Sequence, residues 1–192
     1  MAHSISAAFT KEKTDELYTP PILVEPIIKY LQLWKAFKAI NKPIILCPFD
    51  TEYSEFVIAF SKLKDFDIKY GHIDTGKDFF NYDYGDYDVV ISNPPFSKKK
   101  IIYEKLLKLD KPFALLGNAM QINYEEIGRL FSEYNMQILS FDRRVSYNGK
   151  PSSFLSCYFC NNFLTRDLIF ERLINNNVGN NFIPSKMFKI SA

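Results

Sequence analysis

The stretch Asp88-Val-Val-Ile-Ser-Asn-Pro-Pro-Phe-Ser-Lys-Lys-Lys100 decides how the rest of the chain is read. Val89, Val90 and Ile91 form an unbroken, β-branched apolar run, the pattern of a strand buried on both faces. Pro94 and Pro95 have no backbone N–H to give a ladder, so the strand stops there. Residues 99–108 then carry a helical pattern. A strand that runs through a short turn into a helix is half of an α/β unit. In open α/β sheets the carboxyl ends of the strands are where ligands bind. A turn alone requires neither an Asn before the prolines nor a Phe after them.

Reading outward, Ile44–Cys47 is a second short apolar run closed by Pro48, and residues 67–73, 112–116, 136–141 and 153–160 read as further strands. Between them, residues 54–64, 99–108 and 125–134 have apolar residues at helical spacing. Ahead of the first strand, residues 22–37 look helical. Pro20 or Pro21 suits a first turn and Thr19 a capping position, and Pro26 marks either a later start or a kink. Residues 166–175 also read as helical. Strand and helix patterns alternate, which predicts a mostly parallel sheet with helices on both faces. Residues 1–13 are expected to be a loose arm, 14–175 one domain and 176–192 a tail.

Bulk composition fits that picture. The chain has 192 residues, 47% of them hydrophobic and 24% charged, with 18 Phe and 12 Tyr to fill a core. No apolar run is long enough to span a bilayer. The formal net charge of +2 is too small to imply nucleic-acid binding by itself. Local clusters count for more: Lys98, Lys99 and Lys100, then Arg143 and Arg144. Three cysteines make an odd set. Cys157 and Cys160 have C-x-x-C spacing, but a structural zinc site needs a second ligand pair, so no metal is expected. Residues three apart in a strand face opposite sides, which makes these two cysteines core or near-surface residues. Reduced thiols and the lack of a signal peptide point to the cytoplasm.

The chemistry gathers at Asn93-Pro94-Pro95-Phe96. The Asn side-chain oxygen and the Pro94 carbonyl are two acceptors, enough to hold both hydrogens of an –NH₂ group. An amine conjugated to a ring is a poor nucleophile because its lone pair is delocalised. Two fixed acceptors favour the pyramidal form, in which that pair is free, so the stabilisation is aimed at the transition state. Phe96 can stack on a flat substrate.

This tetrapeptide resembles the [DNS]-P-P-[YFW] signature of the amino-group methyltransferases that use S-adenosylmethionine, and the likeness extends furthest to the adenine-N6 DNA methyltransferases of small phage or prophage type. Tyr18-Thr19-Pro20-Pro21 is similar to the N-terminal motif that closes over the cofactor. Cys47-Pro48-Phe49-Asp50 falls where the family has (D/E)-P-(F/A), and the stretch with Asp78 and Phe79 resembles the acidic-aromatic motif beside the cofactor's adenine. The family's first motif continues with two glycines, and both are absent here. By resemblance, Asp50 or Glu52 would serve the cofactor's amino group and Asp74 or His72 its ribose.

The implied fold is a doubly wound, mixed α/β sheet of the seven-stranded, Rossmann-like methyltransferase type, with its last strand antiparallel. The implied activity is methyl transfer to an exocyclic amine, foremost adenine N6 in DNA. The base would be extruded from its stack, gripped by Asn93 and Pro94 with Pro95 stiffening the turn, and stacked on Phe96. Tyr147 or Phe154 would pack on it too. Lys98–Lys100, Arg143 and Arg144 are candidates for DNA phosphates. RNA adenine and protein glutamine are alternative substrates of the same motif. The chain leaves little room for a target-recognition domain, which suggests a protein partner, a very short target or a single-stranded substrate. The missing glycines also admit a non-catalytic binding module, such as a phage decoy directed at host defence.

Overall fold

A computed structural model describes residues 19–147 and 155–174. Its centre is one seven-stranded sheet in the order β2-β1-β3-β4-β6-β5-β7. The strands are β1 (Ile44–Cys47), β2 (Asp67–Tyr70), β3 (Val89–Ser92), β4 (Phe113–Asn118), β5 (Met136–Phe141), β6 (Ser156–Asn161) and β7 (Leu168–Glu171). β2, β1, β3 and β4 run parallel. β6 is antiparallel to both β4 and β5, and β7 pairs parallel to β5 at the edge. The chain passes from β1 to β2 on one side and then to β3 on the other, so the topological switch point lies between β1 and β3.

Strand alternation divides the core into two layers. Ile45, Val89, Ile91, Ala114, Leu139 and Tyr158 face one layer. There they meet helices α1 (Pro21–Lys38) and α2 (Glu55–Phe60) through Leu23, Ile27, Trp34, Phe56 and Phe60. Leu46, Val90, Phe113, Leu115 and Phe159 face the other. That side is covered by α3 (Lys99–Lys108) and α4 (Glu125–Glu133) through Ile102, Tyr103, Leu106, Ile127 and Leu130. The doubly wound, mixed sheet expected from the sequence is therefore observed, but the antiparallel strand is β6 and not the last one, because β7 adds beyond it parallel to β5. Cys157 and Cys160 fall in opposite layers, both buried and free. Among the described residues, no helix is long and apolar enough to cross a membrane.

Three expectations about elements are corrected. The helix expected over 166–175 is not formed by the described residues 166–174. Leu168–Glu171 pairs in register with Ile138–Phe141 as β7. The buried Gln137 side chain fixes the corner before it, donating to the Leu164 carbonyl at 2.8 Å and accepting from the N–H groups of Phe163 and Leu164. Glu171 then accepts from Tyr30 and Lys29 of α1, so tertiary contacts override a short helical period. Thr19 is not the cap of α1. Pro20 holds that position, without a side-chain bond, and Pro21 opens the helix. Pro26 lies inside the helix, one turn after its start.

Candidate active site

β3 ends at Ser92, and the chain enters the Asn93–Phe96 turn at the carboxyl edge of the sheet, beside the switch point. Pro94 is buried, while Asn93, Pro95 and Phe96 are half-buried. Phe96–Lys98 form one 3-10 turn leading into α3. The register Ser92↔Leu115 carries the end of β4 alongside this turn. A small cleft results, lined by Asn93, Phe96, Leu116, Gly117, Asn118 and Tyr147. The Asn93 carboxamide and the Phe96 ring, expected from the sequence to meet the substrate, thus share a cavity. Tyr147, expected as a second aromatic at the base, lines it as well. Its hydroxyl lies 2.9 Å from the Ser156 hydroxyl, and burial raises its pKa.

Gly117 and Asn118 were not singled out by sequence. A Cβ at Gly117 would sit 2.8 Å from the Phe159 ring and 3.4 Å from Gln121 Oε1, so only glycine fits. The Asn118 side chain accepts from the Met120 N–H and caps the turn after β4. The signal for both was their position at the end of the strand that follows β3.

On the other side of β3 stands Asp50. It lies in the turn after β1, only 6% exposed, and accepts a hydrogen bond from the buried Ser92 hydroxyl. Its N–H donates to the Gly71 carbonyl at 2.9 Å, tying the ends of β1, β2 and β3 together. Burial pushes the Asp50 carboxyl up to about 6, against the opposing effects of hydrogen bonds from Ser92 and Ser54 and the nearby His72. Glu52, its rival for the same role, is exposed. The turn at 48–53 contains no positive φ, so it adopts its path without the flexibility of the missing glycines. Ser54 Oγ accepts from the Thr51 N–H and holds the turn closed.

The other residues expected at a cofactor disperse around this junction. Cys47 and Phe79 are core residues in opposite layers. Phe49, in the turn that also holds Pro48, meets Phe79 edge-on at 5.1 Å. Asp78 turns back on its own loop, accepting from the Phe80 N–H and from Asn81. Asp74 is exposed beside His72, whose Nδ1 lies 3.4 Å from it. Thr19 is buried and Pro20 half-buried at the start of α1. Lysines pin the aromatic segment 79–87: Lys105 donates to the carbonyls of Phe79 and Phe80, Lys69 to those of Tyr84 and Asp86, and Lys111 to that of Tyr87. Tyr18 and Phe154 lie outside the described residues.

The basic residues separate too. Lys98 is exposed. Lys100 pairs with Glu126 at 2.8 Å. Lys99 is only 2% exposed, with its ammonium 4.1 Å from the centre of the Phe96 ring. Its expected place facing phosphates is therefore corrected. The 3-10 turn brings positions 96 and 99 into register, which turns this one lysine inward. Arg143 and Arg144 are exposed, and Arg143 bonds the Asp142 carboxylate at 3.1 Å.

Comparison with known proteins points the same way. Residues 83–143, the segment from the loop before β3 to just past β5, match the family model described as adenine-specific methyltransferase EcoRI. Over 46 residues the chain is 39% identical to the type II methyltransferase M.EcoRI of Escherichia coli; that stretch is 24% of this chain and 14% of the relative. A solved structure from Listeria monocytogenes, described as a class I S-adenosylmethionine-dependent methyltransferase, superposes with a TM-score of 0.46 at 12% identity, covering 81% of this chain and 65% of that one. That superposition is too loose to argue from, and the fold rests on the strand order itself.

Proposed function

We propose that this chain transfers a methyl group from S-adenosylmethionine to N6 of adenine in DNA, a reading supported by the match of residues 83–143 to the family model described as adenine-specific methyltransferase EcoRI. The observation that carries the proposal is the cleft at the end of β3. It brings Asn93 and Phe96 of the Asn-Pro-Pro-Phe turn, both within the segment matched to that family, together with Tyr147, four residues beyond it.

The residues around the switch point fit the cofactor. Asp50 places a buried carboxyl where the strand ends open, and a carboxylate so placed suits the ammonium of the cofactor's methionine part. Phe49, edge-on to Phe79, would flank the cofactor's adenine, and Asp74 or His72 would serve its ribose. When bound, S-adenosylmethionine would supply a methyl group on a positively charged sulfur, whose C–S bond breaks as the new N–C bond forms and leaves its electron pair on a neutral thioether, with no metal and no covalent enzyme intermediate.

The chain's own residues then do three things. The Asn93 carboxamide oxygen and the Pro94 carbonyl accept the two N6 hydrogens. As the nitrogen forms its new bond to carbon and gains positive charge, those acceptors stabilise it. One N6 proton then passes to solvent. Phe96, with Tyr147 in the same cleft, holds the extruded ring so that nitrogen and methyl are aligned, converting an encounter into an oriented reaction. Lys98, Arg143 and Arg144 offer exposed cations to phosphates.

Calorimetric titration with S-adenosylmethionine, followed by transfer of a tritiated methyl group to DNA, tRNA or protein, tests this. Binding with label in DNA supports it. Label only in tRNA or protein moves the substrate, and a folded sample that binds no cofactor leaves a non-catalytic module. The glycine-free turn at 48–53 is the observation that favours the module.

A further inference from the structure

We propose that Lys99 is a positioning residue that acts through Phe96: its buried ammonium occupies one face of the ring and leaves the other to the substrate base. The inference rests on the methyltransferase reading of the cleft, because it assigns Phe96 to the base.

Three observations carry it. The ammonium lies 4.1 Å from the ring centre, closer than any other cation over an aromatic ring among the described residues. Lys99 is 2% exposed, whereas Lys98 beside it is exposed and Lys100 is half-buried and paired with Glu126. It also opens a helix whose first turn has no acidic residue, where the backbone dipole disfavours a cation. Burying an ammonium there is costly, and the ring is a partner the structure shows for it. Desolvation makes that attraction stronger than at a surface.

The consequence is geometric and electronic. Positions 96 and 99 stack because the 3-10 turn between them has three residues per turn. Phe96 cannot rotate about its χ angles without leaving the cation, so the ring is fixed in the cleft before a base arrives. The cation draws π-density toward its own face. The opposite face becomes poorer in electrons and better suited to a purine. Cys157, on β6, also feels this charge.

The test uses the full chain with 4-fluorophenylalanine placed at position 96, in the Lys99→Met and Lys99→Arg backgrounds. Methionine keeps the length and the packing without the charge, and thermal unfolding confirms that each variant is folded. In Lys99→Met the fluorine resonance should move, and methyl transfer to DNA should fall roughly tenfold in kcat. KM for S-adenosylmethionine should not change. Lys99→Arg should restore both the resonance and most of the rate. An unmoved resonance, or a moved one with an unchanged kcat, overturns the proposal. A rate loss that arginine does not rescue also overturns it, since it signals packing alone. If the unsubstituted protein binds cofactor but methylates no nucleic acid, the underlying reading fails first, and Lys99 fails with it.

Discussion

Replacing Asp50 by Asn should stabilise the folded protein at neutral pH while weakening its hold on the cofactor. The Asp50 carboxyl is buried and its pKa is pushed from 3.8 to about 6. A carboxyl whose folded pKa is raised contributes stability that is fully present below its unfolded pKa and is lost as pH rises through the folded one. The loss therefore falls between about pH 4 and pH 6 and amounts to ~3 kcal/mol. Asparagine keeps the acceptor for the Ser92 hydroxyl and carries no charge. Thermal melts of both proteins from pH 4 to pH 8 cancel every other titrating group in the difference. Near pH 4 the two should match. By pH 7 Asp50→Asn should melt higher by roughly 6–12 °C for a chain of this size. Its affinity for S-adenosylmethionine should fall by about 10-fold or more, the worth of a charge-assisted hydrogen bond. A melting difference that is flat with pH, or an unchanged cofactor affinity, refutes the assignment of Asp50.

Other outcomes follow from the same geometry. Because Asp50 must be ionised to receive an ammonium, cofactor affinity in the unsubstituted protein should weaken below about pH 6, by up to about tenfold per pH unit, as calorimetry at pH 5 and pH 7 would read. Phe96→Ala should weaken DNA binding by about 1–3 kcal/mol of stacking, with cofactor affinity intact in the same titrations. Gly117→Ala forces a Cβ against the Phe159 ring and should lower stability by ~1–3 kcal/mol in urea unfolding. The three cysteines are buried, with burial pushing the Cys157 thiol up to about 12 and raising those of Cys47 and Cys160 well above the usual range. They should ignore a thiol reagent at pH 8 in the native protein and all react in denaturant.

Much of the fold was legible because its signals are local. Ile44–Cys47, Lys99–Lys108 and Met136–Phe141 are bounded by prolines, charges or a change of period, and the structure places them at those limits. β7 was not legible. Its four residues, Leu168–Glu171, become a strand only through pairing with β5 and the Gln137-bound corner, contacts some thirty residues away in sequence. The site divides in the same manner. The Asn-Pro-Pro-Phe turn announces itself by composition, but that Asp50 rather than Glu52 turns inward depends on Ser92 arriving from another strand. The inward turn of Lys99 was obscured because three consecutive lysines look equivalent until a 3-10 turn singles one out.

The central claim is that a carboxamide and a proline carbonyl grip the amine that receives the methyl group. Incubation of DNA with tritiated S-adenosylmethionine, then digestion to nucleosides and chromatography, tests it most directly. The account predicts label in N6-methyldeoxyadenosine with the unsubstituted protein, and none with Asn93→Ala, although that variant binds the cofactor equally well. Label in another nucleoside, or full transfer by Asn93→Ala, would contradict it.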